Sequence, residues 1–213
     1  MNTRFQSHFF WGKYAPLSSL TGAALLIMAS ARLAHAILCA AGILWVYCVT
    51  ALIFFSAKKI IPKKGNHVIL LFLSSFAGSI FILFMSLLNP LLTEGTWFFL
   101  VLIPPFCIGS GAFLESGPME TGEVLFHLGL EGACMGLLVI AVSLIREPLG
   151  LGSLSLPGGP WGIVELFGRP EEGGGLIPLR ILSVSAGGFL ILGFAVGIFR
   201  YFQSKNSGTE DNS

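Results

Sequence analysis

The sequence predicts an all-α integral membrane protein of six transmembrane helices, built as a 3+3 inverted repeat with interrupted first and fourth helices. Three observations lead there. Of the 213 residues, 54% are hydrophobic and only 11% charged, about half the charge of an ordinary soluble domain. The apolar residues gather in runs of about 20, the length that crosses a bilayer as a helix. The second and fifth runs each end in a charged turn with a proline, Lys58-Lys59-Ile60-Ile61-Pro62 and Ile145-Arg146-Glu147-Pro148.

Residues 1–14 carry Arg4, Lys13 and several aromatics, an interfacial lead-in with rings at headgroup level. The first apolar segment runs from Ala15 to about Leu33, with Gly22 inside it and Arg32 near its end. A secretory signal is the rival reading, with Ala34-His35-Ala36 as the cut. The long basic lead-in and Arg32 speak against it. The second segment spans about Ile37–Ala57, followed by the basic turn Lys58–Asn66. The third spans about His67–Leu88 and is stopped by Asn89-Pro90. A short loop with Glu94 leads to Trp97 at the interface.

The fourth segment, about Trp97–Leu114, holds Pro104, Pro105, Cys107, Gly109 and Gly111. Consecutive prolines remove two backbone donors and crowd the preceding turn. A break is therefore expected, with Cys107 at it. Broken backbone in a membrane is tolerated where protein buries it or where it lines a cavity, and such breaks mark ion or cofactor sites in transporters. The plain alternative is a proline kink beside a structural cysteine.

A loop with Glu115, Gly117-Pro118, Glu120 and Glu123 leads to the fifth segment, about Val124–Ile145. Arg146-Glu147-Pro148 is expected to end that span and open a Gly/Pro-rich loop, 146–178. A connection that long without secondary structure points to function or a partner contact. The sixth segment is about Leu179–Phe202, and the tail 203–213 is polar.

One membrane domain, 15–202, fills the chain. Its halves, about 15–88 and 97–202, share a plan: an interrupted segment, a cleaner helix ending in a charged turn, and a third long helix. Three spans per half require opposite topology, and matching interruptions place a site between the halves. Lysines and arginines concentrate on one side when both termini are cytoplasmic, which sets that orientation. The net charge of +1 leaves no basic footprint for nucleic acid.

The four cysteines, Cys39, Cys48, Cys107 and Cys134, all fall in predicted spans and show no metal-type spacing. Glu131 lies inside the fifth span, where an acid is costly and by default functional. It is a candidate proton or sodium ligand, with a snorkelling interfacial position as the even alternative. Arg146 and Glu147 read first as charges stopping a helix, and second as a partner contact or ion entrance. His35 and His127 read as boundary residues. Gly132 and Gly136 have the small-xxx-small spacing of close helix packing, expected to nest this helix against the broken one.

Four places carry a resemblance. Ile103-Pro104, Cys107 and Gly111 form one. Gly132 through Ile145-Arg146-Glu147, with Leu149-Gly150 and Gly152, form the second. The Lys58–Pro62 turn is the third, and Ala186-Gly187-Gly188-Phe189 the fourth. In this order they resemble the paired membrane subunits of the Rnf and sodium-translocating Nqr electron-transport complexes. The resemblance implies a six-helix inverted repeat facing a paralogous subunit in a bacterial inner membrane, both termini cytoplasmic. It also implies an intramembrane 2Fe–2S cluster shared between the two, with two cysteines from each. Cys107 matches one ligand. Ala24 stands where the other cysteine is expected, and Phe106 stands in place of an asparagine. Such a cluster needs four protein ligands, so the resemblance implies a lost or altered cluster here.

Three functions follow as expectations. The first is a subunit of a redox-driven ion-translocating complex, which leaves nucleotide and quinone chemistry to other chains. The second is a stand-alone transporter with a site between inverted repeats, motivated by Glu131. The third is a non-catalytic assembly subunit, motivated by Ala24.

Overall fold

The computed structural model describes residues 30–57, 66–109, 121–158 and 162–166, with 184, 186–191, 193–194 and 197. Four long helices dominate: α1, Leu33–Ser56; α2, Asn66–Leu88; α3, Pro90–Gly109; and α4, Thr121–Leu151. Each is long and apolar enough to cross a membrane. Two short strands follow, β1 (Ser155–Pro157) and β2 (Ile163–Glu165), paired antiparallel with Leu156 opposite Val164. Neither six spans nor a 3+3 repeat is seen among these residues. The first segment, the Lys58–Gly65 turn, the 110–120 stretch and most of the sixth segment lie outside them.

The helix α1 is the centre. It packs on α2, α3 and α4 and on β1. Its buried residues run from Leu33 and Ala34 to Phe54 and Phe55, and Leu44, Trp45, Cys48 and Leu52 form one exposed face. Close approach is set by glycine at Gly42. A Cβ there would stand 2.9 Å from Ile103 and 3.1 Å from Phe81, so three helices meet where no side chain fits. By contrast, α2 leaves Phe72, Phe76, Leu83 and Leu87 exposed, a surface suited to lipid. The indole of Trp45 donates to the Ala77 carbonyl at 3.2 Å, which satisfies a donor that has no water to turn to inside a bilayer.

Three boundaries differ from expectation. The helix α3 begins at Pro90, with no loop before Trp97. Asn89 caps it: Asn89 Oδ1 accepts the Leu92 amide at 3.1 Å, and proline suits the first helical position. The polar residues that read as loop are absorbed by the helix. Thr93 and Thr96 donate to the carbonyls one turn back, Asn89 and Leu92, at 2.9 and 2.7 Å, and Glu94 is exposed.

The expected break is also absent between Pro90 and Gly109, because α3 runs through Pro104 and Pro105. Proline's fixed φ is itself helical, so the cost lies in the two missing donors and the crowded turn. Packing offsets it. The Pro104 ring is buried against Gly78, where a Cβ would stand 2.9 Å from Pro104 Cγ. Pro105 is exposed.

Third, α4 does not stop at Ile145. It continues through Arg146, Glu147 and Pro148 to Leu151. Its 31 residues make about 46 Å of helix, longer than the hydrocarbon layer. It ends where Gly152, at φ 67°, donates to the Pro148 carbonyl at 3.0 Å, a left-handed C-terminal stop that favours glycine.

Candidate functional site: a helix clamp and a tyrosine–glutamate contact

The first site lies where α4 ends beside the start of α1. The α1 N-terminus has no capping side chain of its own; its N-cap position is Arg32. The first amides of a helix have no intrahelical partner, and here they are satisfied from far along the chain. The Leu33 amide donates to Glu147 Oε2 at 2.6 Å. The Ala34 amide donates to Ser155 Oγ at 3.3 Å. Arg146 Nη1 donates to Ser30 Oγ at 3.2 Å, which fixes the turn leading into α1. Arg146 and Glu147 are each 1% exposed.

A buried charge is costly unless hydrogen-bonded. The Glu147 carboxylate meets this condition at the positive end of a helix dipole. These residues therefore do more than stop a helix at an interface: they join α4 to α1.

The hairpin completes the clamp. The Gly162 carbonyl accepts from Asn89 Nδ2 at 3.3 Å, so β1 touches the start of α1 while β2 lies at the start of α3. The stretch expected to be a loop is folded and ties two helix starts together. Residues 167–183 lie outside the described part.

The second site lies deeper. Tyr47 is fully buried on α1, and its hydroxyl donates to Glu131 Oε1 at 3.5 Å, a long contact. Tyr47 is about 21 Å along α1 from Leu33, and Glu131 is about 15 Å along α4 from Thr121. The apolar stretch of α4 begins at Leu128, so Glu131 lies three residues, about 4.5 Å of helix, inside its edge, a place that suits an intramembrane carboxylate and a snorkelling one alike.

Between the two sites, α4 lies tightly on α1. A Cβ on Gly136 would stand 3.1 Å from the Ala40 Cβ, and one on Gly132 would stand 3.4 Å from the Tyr47 ring. The small-xxx-small pair therefore serves close packing, but against α1 and not against the helix that carries Cys107.

Of the residues singled out from sequence, Cys107 is fully buried near the end of α3, and Gly109 is its last helical residue. Ala24 and Gly111 lie outside the described residues. Cys39 is buried and Cys48 exposed. His35 sits inside α1, its ring 3.4 Å from where a Gly95 Cβ would be. Among the described residues, no three histidine, cysteine, aspartate or glutamate side chains come together as a metal set. Of the two cysteines the resemblance calls for, Cys107 is present and Ala24 stands in the place of the other. Sequence reasoning missed Tyr47, Ser30 and Ser155. The one signal was negative: the start of α1 offers no Ser, Thr, Asp or Asn at the cap, so its cap had to come from elsewhere.

This fold and these sites define a helical membrane protein. Neither a family model nor a curated protein sequence matches the chain.

Proposed function

We propose that the chain is a membrane subunit of a redox-driven ion-translocating electron-transport complex of the Rnf/Nqr type, set beside a paralogous six-helix subunit. One observation carries the reading. The run Ile145–Gly152, part of the resemblance, folds as one working unit: two buried charges, a helix stop at Gly152, and a clamp on the start of α1. The antiparallel pairing of α1 with α4 adds support. They hold the second place in each half, and an inverted repeat brings equivalent helices together head to tail.

In this reading the domain has six spans in a bacterial inner membrane, both termini cytoplasmic, and the clamp lies at the outer end. Cys107 lines the interior near Glu131. Ala24 keeps the chain from supplying a full cysteine pair, so an assembly role within the same complex belongs to this proposal. The test is mild-detergent affinity purification of the tagged protein from its native membrane, with co-purifying chains identified by mass spectrometry. A paralogous six-span subunit and redox subunits are expected. Recovery of the chain alone would sink the proposal.

The Tyr47–Glu131 pair favours a second reading, a stand-alone transporter. It requires uptake into liposomes by the isolated protein that Glu131→Gln abolishes. No uptake under any gradient would remove it.

A further inference from the structure

The clamp leaves one feature unexplained. Glu147 uses Oε2 for the Leu33 amide, but its Oε1 is buried with no hydrogen-bond partner. One turn earlier on α4, Ser143 is fully buried and its Oγ also has none. Buried polar atoms are nearly always satisfied by protein, water or an ion.

Helical side chains lean toward the helix N-terminus, so Glu147 leans toward Ser143. Residues four apart stand about 6 Å apart along the axis. The two oxygens do not bond directly. One small molecule between them would satisfy both with hydrogen bonds of about 2.8 Å.

Charge selects the occupant. The positive end of α1 borders Glu147, and the cationic Arg146, held by Ser30 in the turn before α1, is its neighbour in sequence. They already balance the carboxylate, so an added cation would meet repulsion, and an added anion would meet Glu147 itself. A neutral donor remains. Water can donate to Glu147 Oε1 and exchange a hydrogen bond with the Ser143 hydroxyl. We infer that Glu147 and Ser143 hold one buried water between α4 and α1. The clamp end of the domain is thus a closed, hydrated joint and not a cation site. This inference stands independently of the functional proposal.

The test is a crystal structure of the full-length protein, wild type and Ser143→Ala, with thermal unfolding of both in sodium chloride and in choline chloride. Expected are an ordered solvent peak about 2.8 Å from both oxygens in the wild type, its loss in the variant, and equal midpoints in the two salts. A midpoint raised by sodium in the wild type but not in the variant would overturn the inference in favour of a cation. A direct Ser143–Glu147 hydrogen bond with no density between them would overturn it outright. The wild-type structure decides between these outcomes even if the variant does not fold.

Discussion

Glu147 closes the start of α1 by accepting the Leu33 amide at 2.6 Å, across 114 positions of sequence. Removing that acceptor leaves a buried amide unsatisfied. Glu147→Ala is expected to destabilise the protein by about 2–3 kcal/mol, and Glu147→Gln by only about 1, because the amide oxygen still accepts. Denaturant unfolding in detergent micelles measures both. Equal losses for the two variants would mean that the hydrogen bond is not the source of the stability.

At Gly136, α4 lies close on α1. A methyl there stands 3.1 Å from the Ala40 methyl, so a small shift accommodates it. Gly136→Ala is expected to cost about 1 kcal/mol and Gly136→Leu about 3, read as a stepwise fall in melting temperature. A tolerated leucine would show that the helices do not meet there.

At Gly78 the neighbour is a proline ring, which cannot swing aside. A Cβ would stand 2.9 Å from it, so Gly78→Val is expected to destabilise by about 2–3 kcal/mol. In Pro104→Ala the change should be smaller, since a regained backbone donor partly offsets the lost ring contact. The ratio of the two melting shifts checks this.

The thiols make a separate test. Cys39 and Cys107 are buried, Cys134 is half-buried and Cys48 is exposed. A small lipid-soluble alkylating reagent is expected to modify Cys48 first, Cys134 next, and Cys39 and Cys107 only on unfolding. Peptide mass spectrometry over a time course gives the order, and early modification of Cys107 would contradict the packing of α3 on α1.

Much of the helical plan was legible in the sequence. The Asn89-Pro90 stop was read correctly because capping is local chemistry, and α2 matched its expected span almost to the residue. The errors share a cause. Polar residues suggest a loop around Glu94 and a stop at Arg146 and Glu147, yet Thr93, Thr96, Arg146 and Glu147 each find a hydrogen-bond partner that makes burial tolerable. Pro104 read as a break because the sequence does not display Gly78 waiting beneath its ring. The clamp was invisible for a deeper reason: its donors and acceptors lie 73 to 121 residues apart, and no local rule joins them.

Because α1 borrows its cap, its biogenesis cannot finish in the order of synthesis. The ribosome delivers Leu33 and Ala34 long before Glu147 and Ser155, which follow 114 and 121 positions later. Until then the leading amides of α1 need water or headgroups. The start of α1 therefore stays unsealed until the last turn of α4 reaches it.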